Sequence, residues 1–414
     1  MAITIRQAPQ TLTPGFNDII YVVSSTNTAQ TNFQYVCDIY IDDDAGPLTF
    51  AGLGYLREKT HVDPIYTSGV FNISRKIESF LSYDIGNSTA NGFQKSANSI
   101  VQVICKFGEE YGPSSGVVVY PDLTVATTIR AWNGSMNFTQ FKDYIKSDYV
   151  GSTDSTTRKW LTDRPSSGVV RTGEDAWLYA LVEDTNGAVS YSLFTYDSSG
   201  VLIGGENNTA VGLPGLGTVG GYMIRIPAGA SNLTTQFGPT PFVNAVRYKI
   251  YTKNDSGIQD RKDQWFTIDD TCTNHDVYRL HFLNKLGGFD SFSFIRAHTE
   301  ETAITSREKY KRNLTTRDTG GSYGYKKRDT SDVNFYTRHK DTIKVLSDWI
   351  SESTFTWLEE LVTSPVVYHD DPTHGLLAVN ITDTRHLRKQ WVTDGLSNLE
   401  ITFTYSHDNY RQRL

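Results

Sequence analysis

Cysteine and methionine are scarce, with three of each in 414 residues. Cys37, Cys105 and Cys272 lie too far apart for a clustered cysteine zinc site and are too few for a disulfide-dense scaffold. No stretch approaches the ~18 consecutive apolar residues that a membrane helix needs. The opening MAITIRQAPQ lacks the charged and apolar regions of a signal peptide, so synthesis in the cytoplasm is expected, with no membrane anchor. Long Ala/Leu/Glu/Lys runs are missing, and so are HExxH, GxSxG and GK[ST] signatures. A net charge of −7 gives the chain as a whole no electrostatic reason to seek nucleic acid or an anionic membrane. Charged residues make up 21%, a little under the roughly 25% usual for soluble domains, which is compatible with some surface being covered by partners.

What is abundant is the vocabulary of pleated surfaces: 24 Tyr and 20 Phe, set among many Thr, Ser, Asn and Val. Period-two alternation recurs along the chain. Phe33, Tyr35, Cys37, Ile39 and Ile41 form one face, and Val101, Val103, Cys105 and Phe107 another. Both cysteines sit on the apolar phase and could face each other across a sandwich, as two buried thiols or as a disulfide. Val70–Tyr83 reads either as a short helix or as a bent strand. FTQFKDYIKSDYV carries a helical turn with Phe138, Phe141, Tyr144 and Ile145 on one side, and Gly151–Lys159 reads as a linker or loop. In AWLYALVED the residues Ala176, Leu178, Ala180 and Val182 oppose Trp177, Tyr179 and Leu181, so that strand is buried on both faces or lies at an interface. VSYSLFTY-DSSG-VLIGG reads as a hairpin, and a tight KLGG turn joins two later strands. SESTFTWLEELVTS is the strongest helix signal, with Ser351 as N-cap, Phe355, Leu358, Leu361 and Val362 as its stripe, and Pro365 as its stop.

These segments predict a mainly β chain. It comprises two immunoglobulin- or fibronectin-sized β-sandwich domains, at 1–132 and 133–269, and a mixed α+β C-terminal domain at 270–414 with a long arm or hairpin. No period of 20–50 residues repeats, which excludes solenoids and propellers.

Candidate chemistry is thin. Gly215, Gly217 and Gly220 spell GxGxxG, but the strand-like YMIRIP follows where a helix would have to begin, so a glycine-rich loop is expected. Asp42, Asp43 and Asp44 lack calcium-loop spacing and read as a turn. His369, Asp370, Asp371 and His374 read as a surface loop. No catalytic, cofactor-binding or metal residue is assigned; paired-carboxylate glycosidase chemistry needs no fixed spacing and stays open.

One charge feature stands out. Between Arg307 and Arg328 the cations Arg307, Lys309, Lys311, Arg312, Arg317, Lys326, Lys327 and Arg328 meet only Glu308 and Asp318, a net of +6 that leaves −13 on the rest of the chain. Tyr310, Tyr323 and Tyr325 are interleaved. This segment, 306–329, reads as a solvated hairpin turning at Gly320–Gly321, as an arm docking on an acidic neighbouring subunit, or as a contact with DNA phosphates.

Four stretches resemble virion structural proteins of tailed phages infecting Bacteroidetes, including crAss-like phages. They are QAPQTLTPGFNDIIYVVSSTNTAQTNFQYVCDIYI, KWLTDRPSSGVVRTGEDAWLYAL, YRLHFLNKLGGFDSFSF and the closing VLSDWISESTFTWLEELVTSPVVYHDD with LLAVNITDTRHLRKQWVTDGLSNLEITFTY. The resemblance implies a non-enzymatic tail or neck component, a ring, connector or hub protein stacked along the tail axis in the virion. Its partners would be copies of itself in a ring and other tail or neck proteins, with transient contact with packaged DNA as a further option. The family brings no catalytic residues to transfer. Two rival classes stay open: a receptor-binding or fibre-associated protein recognising host-surface glycans, and a wall- or polysaccharide-degrading virion hydrolase.

Overall fold

The computed structural model describes residues 3–42, 54–86, 94–113, 118–119, 124–125, 128–150, 156–182, 189–203, 207–211, 222–253, 257–271, 274–312, 316–317, 321, 323–324, 330–383 and 396–411. The fold is mainly β, built from sandwich-like sheets, and its contacts divide it into two units. Unit 1 is Met1–Thr271 with Leu283–Asp290; unit 2 is Cys272–Phe282 with Ser291–Leu414.

Unit 1 holds two cores. The first region of the chain runs through β1 (Thr4–Gln7), β2 (Leu12–Pro14), β3 (Ile20–Ser24), β4 (Gln34–Asp42), β5 (Tyr55–His61) and β6 (Ser68–Asn72), then β7 (Gln94–Lys95), β8 (Ile100–Tyr111), β9 (Val118–Val119), β10 (Thr124–Val125) and β11 (Ile129–Trp132), all but β7 belonging to the first core. A sheet ordered β1-β3-β6 and one ordered β2-β11-β8-β4-β5 enclose a cluster that includes Tyr35, Cys37 and Ile39 from β4 and Val101, Val103, Cys105 and Phe107 from β8. These are the inward phases of the two alternating segments. The opposite face of β4 carries Asp38, held bidentately by Arg57 of β5 at 2.7 Å to each oxygen. The cysteines do not oppose each other across the sandwich. Cys37 pairs with Phe107 and Ile39 with Cys105, so they are diagonal neighbours on adjacent strands of one sheet, both free and buried. Val70–Tyr83 contains the end of β6 and then a short helix, α1 (Ser74–Ile77).

The second core follows α2 (Phe138–Lys142). Phe138 at 81% and Ile145 at 56% are exposed, so the apolar stripe expected there does not pack, while Tyr144 is buried and donates to the Leu12 carbonyl. The strands are β12 (Ser167–Val170), β13 (Trp177–Val182), β14 (Val189–Tyr196), β15 (Asn207–Val211), β16 (Tyr222–Pro227), β17 (Arg247–Lys253) and β18 (Gln264–Ile268), with α3 (Ala230–Phe237) before β17. Sheets β12-β18-β17-β14-β15 and β13-β16-β7 close over a cluster containing Leu178, Tyr191, Ile224, Tyr248 and Phe266. β7 comes from the first region yet pairs with β16, which ties the two cores into one unit. β13 is buried on both faces within the chain: Leu178 and Ala180 enter the cluster, while Trp177 lies against Gly86 and Tyr179 against Gly288. The hairpin after β14 turns at Asp197–Gly200, where the Asp197 carboxylate accepts from Ser199 N and Val201 N and Gly200 has φ +78°. Arg158, expected in a polar linker, is buried, as is Arg261, whose guanidinium donates to the carbonyls of Tyr149, Lys159 and Leu181.

Unit 2 is organised by an eight-stranded sheet. In chain order it draws on β19 (Tyr278–Leu283), β20 (Phe289–Phe294), β21 (Thr299–Lys311), β22 (Thr316–Arg317), β23 (Tyr323–Gly324), β24 (Asp332–Leu346), β25 (Ile350–Ser351), β26 (Val367–Asp371), β27 (Gly375–Ile381), β28 (Leu396–Ser397), β29 (Glu400–Tyr405) and β30 (Asn409–Tyr410). The main sheet runs β20-β19-β26-β27-β29-β24-β21, with β30 added to β24; β22 pairs with β23 and β25 with β28 as separate ribbons. One face is covered by α4 (Glu352–Trp357) and α5 (Glu359–Thr363), whose Phe355, Trp357, Leu358 and Leu361 join the cluster with Phe282, Val345 and Phe403. Ser351 caps α4 as its spacing predicts, accepting from Thr354 N.

Candidate functional site

The basic segment begins on the longest strand pair among the described residues, with Ser306–Lys311 on β21. β21 and β24 run antiparallel from Thr299↔Lys344 to Lys311↔Asp332, so both strands extend beyond the 306–329 segment read from charge. Among the described residues the base of the pair is supported on one side only. β24 takes β29 along Thr342–Leu346 and β30 at Arg338 and His339, whereas β21 ends the sheet. Beyond Ser306↔Arg338 the described residues form a two-stranded ribbon, and β22 and β23 pair separately through Thr316↔Gly324 and Arg317↔Tyr323.

Register sorts the side chains, because residues directly opposed in a ladder share a face. Arg307/Thr337, Lys309/Asn334 and Lys311/Asp332 make one face of the ribbon, and Glu308/Tyr336 and Tyr310/Val333 make the other. The first face is cationic and the second aromatic. Bulges fall at Thr305 and at Phe335, the latter placing an extra ring beside Tyr310 at 6.4 Å and Tyr336 at 5.8 Å. Glu308, Lys309, Tyr310 and Phe335 line a shallow open hollow. The Tyr336 hydroxyl donates to Glu308 Oε1 at 2.8 Å, and this bond to a carboxylate raises the phenol's pKa. Every side chain of β21 is exposed or half-buried, and Tyr310 and Phe335 keep about two-fifths of their surface, at 42% and 40%.

Of the residues singled out by charge, Arg307, Lys309 and Lys311 are brought together on one face and Tyr310 lies on the other. Arg312 follows, exposed, with its backbone N–H on the Ser331 carbonyl. Arg317 and Tyr323 are paired in the β22–β23 ribbon, and Tyr325, Lys326, Lys327 and Arg328 lie outside the described residues. Charge alone did not point to the return strand. Its contribution, Val333, Phe335 and Tyr336, is signalled only by aromatic and β-branched residues following Asp332.

The other polar groupings do not converge. His369 is not in a surface loop: with Asp370 and Asp371 it belongs to β26, between β19 and β27, and it is 3% exposed. Its Nδ1 meets the Tyr405 hydroxyl at 3.2 Å, its ring stacks on Tyr278, and burial lowers its pKa. His281 pairs with Asp370 at 3.4 Å, and that bond holds the carboxyl below its usual range. His374, in the turn, meets Asp371 at 2.9 Å. Among the described residues no three His, Cys, Asp or Glu side chains gather to hold a metal. Asp42 ends β4, and Asp43, Asp44, Gly215, Gly217 and Gly220 lie outside the described residues. Among the described residues no helix is long and apolar enough to cross a membrane.

No protein-family model matches the chain, and no curated protein matches it. Among solved structures, the crystal structure of calcium binding domain CBD12 of CALX1.1 is similar over 61% of this chain and 80% of that chain, with 8% identity and a TM-score of 0.20. A likeness this distant says nothing about calcium here.

Proposed function

We propose that this chain is a non-enzymatic structural subunit of a tailed-phage virion, a tail or neck ring or hub protein that assembles with copies of itself around the tail axis. The finer architecture belonging to this proposal is two immunoglobulin- or fibronectin-like sandwiches followed by an α+β domain that carries the arm. The observation that carries it is the β21–β24 ribbon, a long strand pair with one cationic and one aromatic face and no covering layer among the described residues. A two-stranded ribbon is marginal in water, and a neighbour that covers its faces or edge supplies the missing burial. Charge favours a copy of the same chain as that neighbour, since the +6 of Arg307–Arg328 faces −13 elsewhere. The resemblance of the strand and turn motifs to phage virion proteins supplies the biological setting.

The test is deletion of 307–337, which removes the ribbon with the basic segment, with a two-residue Asn-Gly turn joining the paired Ser306 and Arg338. The expected outcome is a chain with unchanged circular dichroism that no longer forms the ring or tail assemblies of the full chain in negative-stain images. Assemblies of normal size from the deleted chain would refute the proposal.

A further inference from the structure

We infer that the outer edge of β21 is a self-pairing surface, on which a second copy of this chain adds its own β21 antiparallel across a two-fold axis near Thr305. This rests on the reading of the chain as one that assembles with itself, and adds a two-fold contact that closes at two copies and so is distinct from the repeated contact that builds a ring. Among the described residues β21 is an end strand, 13 residues long against a usual strand length of about 5–6. Natural sheets keep exposed edges short, because a row of free N–H and C=O groups recruits other strands. An edge this long calls for a partner.

The charge order along the strand identifies that partner. Glu300 and Glu301 stand at one end and Arg307, Lys309 and Lys311, interrupted by Glu308, at the other, so the ends carry −2 and +2. Parallel addition of a second β21 would set acid on acid and base on base. Antiparallel addition sets the acidic end of each copy against the cationic end of the other, twice per contact, which makes an isologous, self-complementary surface. Glu300 accepts from the Tyr278 hydroxyl at 2.7 Å and lies 3.7 Å from His298 Nε2, so Glu301, opposite Lys309 when the axis falls on Thr305, makes the charge pair between copies. Lysines and the bulge at Thr305 are also devices that keep an edge unpaired. Protection of that kind needs charges but does not need them segregated by sign; pairing does.

The experiment is sedimentation equilibrium of the full chain and two charge variants, E300K/E301K and K309E/K311E, alone and in equimolar mixture. The expected result is a dimer for the parent chain, association roughly tenfold weaker for each variant alone, and recovery of dimer in the mixture, where a strand of five cations that keeps Glu308 meets a strand of five acids that keeps Arg307. Recovery cannot come from misfolded protein, so it separates pairing from damage. A parent chain that stays monomeric, variants that associate as well as the parent, or a mixture that does not recover would each overturn the inference. So would a monomer whose sedimentation shifts only on adding a short DNA duplex. Rings that form equally well from the parent and both variants would overturn this contact while leaving the ring proposal standing. A charge-sensitive dimer that never grows larger would support the contact and count against the ring.

Discussion

Gly287→Ala tests how tightly the KLGG turn is built into unit 1. Gly287 has φ +87°, and a Cβ there would lie 1.8 Å from the Asn133 carbonyl oxygen, a backbone atom that cannot swing aside. The turn cannot easily shift either. Asn284 Oδ1 accepts from Leu286 N and Gly288 N at 3.0 Å each, and Asn284 Nδ2 donates to the Leu161 carbonyl at 2.9 Å. Trp132 Nε1 donates to the Leu286 carbonyl at 3.2 Å, with Leu286 buried beside it. Left-handed backbone costs an alanine about 1–2 kcal/mol and overpacking a further ~1–3, so unit 1 should lose about 2–5 kcal/mol. With two units, one global unfolding free energy is not defined, so the assay is calorimetry of the unit 1 transition together with hydrogen exchange at the Gly288 amide. A fall of roughly 4 °C or more, with faster exchange at Gly288, is expected. Gly173→Ala is the control, because nothing lies within 4 Å of a Cβ there. A Gly287→Ala midpoint within about 1 °C of the parent would refute the reasoning.

The buried imidazole of His369 predicts acid sensitivity in unit 2. Its folded pKa lies below the ordinary histidine value, so its contribution is intact above about pH 6.5 and is lost as pH falls below that, by up to about 1.4 kcal/mol per pH unit. The depressed carboxyl of Asp370 acts in the same direction, but only near and below the ordinary Asp value. His369→Phe should therefore flatten the decline in unit 2 stability between pH 6.5 and 5 in urea titrations, and an unchanged slope would assign that decline to other groups. Cys37 and Cys105 are fully buried, and their mutual hydrogen bond together with burial raises the Cys37 thiol pKa. In a Cys272→Ser background, native protein should react with a disulfide reagent only at the rate of global opening, while rapid labelling at neutral pH would contradict the packing.

Much of the β character was legible because strand periodicity is local. The inward phases of β4 and β8 follow from alternation, the turn after β14 from Asp197 and Gly200, and the cap of α4 from Ser351. Each of these rests on residues within a few positions of one another. The apolar spacing around α2 misled, because Phe138 and Ile145 have helical spacing but no surface to cover them. The polar run His369–Asp371 misled in the other direction, since a strand in mid-sheet can bury an imidazole once a tyrosine hydroxyl and a stacked ring receive it.

For the candidate site, sequence by itself determined the charge: eight cations against two acids between Arg307 and Arg328, with tyrosines interleaved. Tertiary structure decided everything that depends on who pairs with whom. β7 crossing to β16, the two cysteines settling side by side on one sheet, and β21 ending its sheet among the described residues are choices of partner across long loops. So is the division of the ribbon into cationic and aromatic faces, which turns on register and on bulges at Thr305 and Phe335. A residue's neighbours one and two positions away set its phase, but its face and its edge are set by strands far along the chain, selected by the burial of the whole fold.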